Sequence, residues 1–293
     1  MIQVQHLIDA CSIGALYALF ALGIAMIFGV MRLVNFAHGE LIMIGAYSLY
    51  LLGDRPIVML VALSSAIVVF AAVLMERVAF RPVRQASPAT LLVTSFAVSV
   101  FLQNLATLIF GARAKPLATP AVLQESFDIG SLRIGKLSVL IMVVLAVCVV
   151  GLTLFLKRTR MGMHMRGAAE NFRMARLLGV RANGVIVVAF AISGFLAAIA
   201  AYLLTAQTGA LSPTMGTTPV IIAFVAVIVG GLGSLVGAVA GGFLLGGLTT
   251  ALQVWLPLEL RNYRDAFMYG AVILILLIRP QGLVVLKARG TRV

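Results

Sequence analysis

Residues of a kind that does chemistry are scarce in this chain, and they gather in three places. The first is Asn35, His38 and Glu40, an amide, an imidazole and a carboxylate between two apolar runs. Polar groups left unpaired against hydrocarbon cost several kcal/mol, so this cluster must be hydrated or internally hydrogen-bonded. It belongs at the cytoplasmic end of a permeation path or at a helix break beside one; the alternative is that it only caps two helices at the interface. The second is a basic loop carrying Lys157, Arg158, Arg160, Arg166, Arg173, Arg176 and Arg181 against Glu170 alone. The third is a glycine-dense stretch from Gly230 to Gly247.

The groups needed for most catalytic chemistries are missing. No Gly-x4-Gly-Lys-Ser/Thr phosphate loop occurs, so the chain has no means of holding ATP by that device. No Ser/His/Asp set, His-Glu-x-x-His helix or pair of intramembrane carboxylates is present, so no catalytic residue is assigned. His6, His38 and His164 lie far apart in sequence, and Cys11 and Cys148 each sit in an apolar run, which gives neither metal-ligand spacing nor a structural disulfide.

The elements that must position these residues are membrane helices. Of 293 residues 62% are hydrophobic and only 11% charged, against roughly 45–50% and about 25% in soluble domains. Apolar stretches run over 7–31, 36–52, 57–75, 89–110, 137–156, 185–205, 219–230, 235–256 and 266–278. The expected fold is therefore all-α, one polytopic membrane domain over residues 1–293 with about 8–9 transmembrane helices. The N-terminus lacks a basic n-region and a clear cleavage site, and is read as a retained helix.

The net charge of +13 does not indicate nucleic acid, because the Arg and Lys residues alternate between loops in the positive-inside manner. The loop with Arg77, Arg81 and Arg84, the loop 157–184 and the tail with Arg279, Lys287, Arg289 and Arg292 are placed in the cytoplasm. Loops 111–136, 206–218 and 257–265 are placed outside. Nine crossings put the N-terminus outside, and eight, should 36–52 fail to cross, put it in the cytoplasm.

Segment 36–52 becomes continuously apolar only from Leu41 to Leu52, about 18 Å of helix, and 219–230 is similarly short, against a bilayer core of about 30 Å. One short, glycine-interrupted segment in each half is the pattern of discontinuous helices around a path, although the halves show no convincing residue-by-residue self-similarity. Residues 157–184 exceed a plain hairpin and should carry structure, with a helix from Met163 to Leu178 ended by Gly179. Such a basic cytoplasmic helix is read as a docking element, or else as a topology signal touching lipid headgroups. Gly230, Gly231, Gly233, Gly237 and Gly241 are assigned to close helix packing, since small residues four apart let backbones approach.

Three stretches resemble the permease subunits of branched-chain amino acid ABC importers, the first of the two homologous permeases in particular. GIAMIFGVMRLVNFAHGE from Gly23 to Glu40, followed by Gly45-Ala46-Tyr47, is the most specific. RGAAENFRMARLLGV from Arg166 to Val180 is similar to the family's coupling loop, with Gly167 where Ala is expected. Gly230-Gly231-Leu232-Gly233-Ser234 and Arg279-Pro280-Gln281-Gly282-Leu283 complete the likeness. The resemblance implies a non-catalytic subunit in the bacterial inner membrane. It implies a second homologous permease, two cytoplasmic ATPases that bind ATP and Mg, and a periplasmic binding protein as partners. This chain then binds no cofactor, and Arg166, Ala169, Glu170, Asn171 and Gly179 form the ATPase-coupling element.

Related permeases carry urea, short amides, other amino acids or sugars, so the substrate is the finest point of the reading. The competing class is a passive channel or a secondary carrier, for which the near absence of intramembrane acids is unfavourable. Few charges in the spans also mean that specificity is left chiefly to the binding protein, unless discontinuous helix ends supply partners for a zwitterion.

Overall fold

The computed structural model describes residues 2–280, except 54, 118–119 and 130–131, together with 282–284. Lys287, Arg289 and Arg292 of the basic tail, and Gln281, lie outside these. The helices are α1 (Ile2–Met31), α2 (His38–Leu52), α3 (Ile57–Met75), α4 (Arg81–Val83), α5 (Pro88–Phe110), α6 (Ala121–Gln124) and α7 (Lys136–Arg158). They continue with α8 (Arg160–Glu170), α9 (Phe172–Leu177), α10 (Ala182–Thr208), α11 (Thr217–Gly230), α12 (Leu235–Trp255) and α13 (Arg264–Ile278). A π turn, Glu76–Phe80, joins α3 to α4. The short strands are β1 (Lys115–Pro116), β2 (Ser126–Ile129), β3 (Leu132–Gly135) and β4 (Ala210–Leu211).

Among the described residues six helices are long and apolar enough to cross a membrane: α1, α3 with its continuation, α5, α7, α10 and α12. The shorter α2, α11 and α13 fall on the remaining apolar stretches. The protein is thus an all-α, multi-pass membrane protein. Hydroxyls start several of these helices where the sequence leaves the loops. Ser87 accepts from the Thr90 amide at the head of α5, Thr159 from Gly162 at α8, and Ser234 from Gly237 at α12. Each satisfies an amide that the first helical turn would otherwise orphan.

The two ends of the bundle are fixed by contacts between loops. At one end β1 pairs antiparallel with β4, and the Gln5 side chain exchanges hydrogen bonds with the backbone of Arg133. At the other, Arg84 donates to Asn183, and the Leu283 and Val284 amides donate to the carbonyls of Val229 and Gly230. The basic loops all gather at this second end, called the basic end below. The N-terminus lies at the opposite, far end, beside the loops that carry residues 115 and 133.

Packing reveals an order the sequence conceals. The helix α1 packs on α12 as α10 packs on α3. The short α2 lies on α10 and α3, while the short α11 lies on α1 and α12. Each member of the set α1, α2, α3 therefore has a counterpart of opposite direction in α10, α11, α12, an inverted pseudo-two-fold arrangement. Core residues such as Phe20, Leu22, Ile24, Phe190 and Ala197 come from α1 and α10 at its centre. Large apolar side chains on α5, α7 and α13, including Phe101, Val147 and Leu277, point outward, as expected of a surface solvated by lipid.

Candidate functional site: a helix break at mid-depth

The two short helices begin head to head in the middle of the bundle. After α1 ends at Met31 the chain turns through Arg32, a non-glycine at φ 52°, and runs without regular structure to His38. His38 lies against Gly23 of α1, eight residues before the end of that helix, or about 12 Å at 1.5 Å per residue. The start of α2 is therefore well inside the bundle, and the segment 32–37 covers the missing depth. From the far end, residues 212–216 descend in the same way to the start of α11. The two starts touch: a Cβ built on Gly39 would overlap the Gly216 carbonyl, and one built on Gly216 would overlap that of Gly39. No side chain larger than hydrogen fits at either position.

The Asn35, His38 and Glu40 side chains are all brought to this break, and each is buried. Asn35 Oδ1 accepts from the Ala37 amide at 3.0 Å, holding the turn that opens α2. His38 Nδ1 lies 3.0 Å from Ser193 Oγ on α10. Glu40 is 0% exposed and stands in the first turn of α2, where the helix dipole favours a negative charge. Its Oε1 accepts from Ser99 Oγ and Gln103 Nε2, both at 2.8 Å. Its Oε2 is buried without a hydrogen-bond partner. The cluster thus occupies the helix break and lies away from the basic end.

Ser99 and Gln103 escaped the sequence reading, as did Thr217, whose Oγ1 is 3.4 Å from Gln103 Nε2. The first two lay in view as a stripe. Ser95, Ser99, Gln103 and Thr107 recur every four residues along α5, so one face of an otherwise apolar helix is polar. Ser95 and Ser99 on that face are buried, whereas Val93 and Val100 on the other side are exposed. Thr214, just before α11, and Thr217 and Thr218 in its first turn are exposed. A polar surface at mid-depth of a membrane protein faces water or another protein subunit, never lipid tails.

At the basic end the expected single helix from Met163 to Leu178 is two helices. α8 stops at Glu170, and Asn171 adopts an extended conformation, φ −149° and ψ 100°. Its Oδ1 then accepts from the Met174 amide to start α9. Asparagine competes with helix in this way because its side chain offers the backbone another partner. Gly179 follows α9 with φ 84°, a left-handed stop that β-carbon residues resist. Arg166, Glu170, Asn171 and Gly179 are exposed, and Ala169 is half-buried. Ala168, Ala169, Glu170 and Asn171 line a cleft with Met31, Arg32 and Arg84.

The glycines divide into two groups. Gly230 and Gly237 face each other so closely that a Cβ on either would meet the other's backbone, and Gly241 sits on the Ala226 carbonyl. The same row continues beyond Gly241, where Gly242 and Gly246 lie on Ala18 and Gly14 of α1. Gly231 and Gly233 instead have φ of 109° and 88° and make the turn between α11 and α12, so their place is a turn rather than a helix–helix seam.

Membrane-spanning helices, two of them broken at mid-depth around a buried polar cluster, define a polytopic permease. Comparison with known proteins makes the class specific. The family described as "Branched-chain amino acid transport system / permease component" matches residues 7–277, and the chain belongs to it. It is 37% identical to the high-affinity branched-chain amino acid transport system permease protein BraD of Pseudomonas aeruginosa, over 95% of this chain and 94% of that protein. It is 34% identical to the corresponding LivH protein of Escherichia coli K12, with the same coverage of both. A shorter likeness, 31% identity over 41% of this chain and 38% of the relative, links it to the ribose import permease protein RbsC of Haemophilus influenzae. No solved structure matches.

Proposed function

We propose that this chain is the translocation subunit of an ATP-driven importer for the branched-chain amino acids leucine, isoleucine and valine. The observation that carries the proposal is likeness along nearly the full length to permeases of those systems. ATP and Mg belong to two ATPase subunits docked at the basic end, because this chain has no phosphate loop. That end faces the cytoplasm by the positive-inside rule, and the C-terminus with it. The far end faces the periplasm and receives substrate from a soluble binding protein. The exposed threonines at the start of α11, with half-buried Gln103 of α5 beside them, turn toward a second, homologous permease, and the path runs between the two.

In this arrangement α8 and α9 are the coupling element. Their Asn171 break makes a corner, and the cleft behind it reaches the end of α1, the helix whose turn leads into α2. A displacement of the corner by an ATPase would thus be delivered to the helix break through Arg32 and the segment 32–37. The test is affinity purification of the tagged chain from a bacterium expressing the whole gene cluster. The expected result is recovery of a second permease and two ATPases, with vanadate-sensitive uptake of leucine in the same cells. Recovery of the chain alone, with vanadate-insensitive uptake, would place it among channels or secondary carriers.

A further inference from the structure

We propose that Glu40 and the start of α11 form a mid-depth subsite for the zwitterionic head group of the transported amino acid. Glu40 would take the ammonium, and the first turn of α11 the carboxylate. This rests on the amino acid reading given above.

Three observations carry it. Glu40 is fully buried and still has one carboxylate oxygen, Oε2, without a partner. A carboxylate exposed to so little water is costly unless its oxygens accept hydrogen bonds, so the site as it stands is under-satisfied by at least one donor. Secondly, what now touches the other oxygen imitates an ammonium: Gln103 Nε2 presents N–H donors to Glu40 Oε1 at 2.8 Å. Gln103 also leans on Ser99 Oγ and Thr217 Oγ1. It is only half-buried and stands between Glu40 and the exposed polar face. A rotamer change at Gln103 alone would exchange the amide donor for a cationic one arriving from that face.

Thirdly, the start of α11 lies beside this pair and has donors to offer an anion. Gly216 at its N-cap provides no capping side chain, and Thr217 and Thr218 in its first turn are exposed. The Thr217 amide already donates to the Thr214 carbonyl and Pro219 has no N–H. The donors left for a carboxylate are the Thr218 amide and the two threonine hydroxyls, with the helix dipole in its favour. Gln103 Nε2 is 2.8 Å from Glu40 Oε1 and 3.4 Å from Thr217 Oγ1, so a small head group in place of that amide would be within reach of both. An aromatic cluster packs between the same two helices. Phe36 stacks on Phe96 with centroids 4.3 Å apart and lies against Phe224 of α11.

The null alternative is that Glu40 only offsets the positive ends of two facing helices. The two accounts part in the complete importer, reconstituted in liposomes with its binding protein. Glu40→Gln keeps the size and hydrogen bonding of the side chain and removes its charge. The subsite predicts that leucine uptake falls tenfold or more, while ATP hydrolysis stimulated by the loaded binding protein persists. A fall smaller than tenfold, or an equal loss of uptake and hydrolysis, overturns it.

Gln103→Lys decides the matter if that variant does not assemble. It tethers an ammonium beside Glu40, which should satisfy the buried carboxylate, support assembly and block uptake by tenfold or more. Uptake of this variant near that of the unsubstituted complex overturns the subsite. If the unsubstituted complex moves no leucine, the transport reading itself fails, a result distinct from a working importer indifferent to Glu40 and Gln103.

Discussion

The contact between Gly39 and Gly216 determines whether two half-length helices can start from the same point. Each has a backbone carbonyl where the other's Cβ would be, and backbone has no rotamer by which to yield. Gly216→Ala should therefore cost roughly 1–3 kcal/mol by overpacking and lower the recovery of folded permease from detergent. Gly29→Ala provides the contrast: nothing lies within 4 Å of its Cβ position, and alanine is the better helix former by up to about 1 kcal/mol. A thermal-stability measurement on both variants should move in opposite directions. Equal losses would mean that the close approach at the break does not hold the two helices. His38 and Asn35 serve the same junction from within, one tied to Ser193 of α10 and the other to the turn before α2.

At the scale of elements, the sequence disclosed most of what is short or broken and little of what is paired. The brevity of α2 and α11 was visible because a polar cluster delays the apolar run at Leu41, and because glycines close the run at Gly230. The partnership of Glu40 with α5 was hidden. Ser99 and Gln103 are 59 and 63 residues away from it, and no spacing rule connects positions so remote. The inverted relation of α1–α3 to α10–α12 was equally hidden, since packing in lipid constrains size and direction more than residue identity. Alanine and leucine suggested an unbroken helix over 163–178, and a single asparagine side chain overrode them.

That break yields a prediction about coupling. Glu170 is the last residue of α8, a position where the helix dipole disfavours a negative charge, and its side chain is exposed. Glu170→Lys should leave α8 intact or slightly stabilised. Uptake should nevertheless fall several-fold relative to ATP hydrolysis in the reconstituted complex, because the reversed charge sits on the docking corner. An unchanged ratio of uptake to hydrolysis would remove Glu170 from that contact.

For the whole molecule, lipid-facing apolar surface surrounds most of the bundle, and a polar patch at mid-depth is left open at the start of α11 beside Gln103 of α5. On the proposed function such a chain forms half of a path, and the sequence carries no phosphate loop for ATP. The assembly proposed above would supply both: a second permease to close the path, and ATPases at the basic end to drive it. The most direct measurement is uptake of radiolabelled leucine, isoleucine and valine into liposomes containing this chain with its second permease and ATPases, with binding protein and ATP supplied on opposite sides. Accumulation of all three that stops when either ATP or the binding protein is withheld is the predicted result. Flux that continues without ATP, or a complete complex that hydrolyses ATP and moves none of the three, would contradict it.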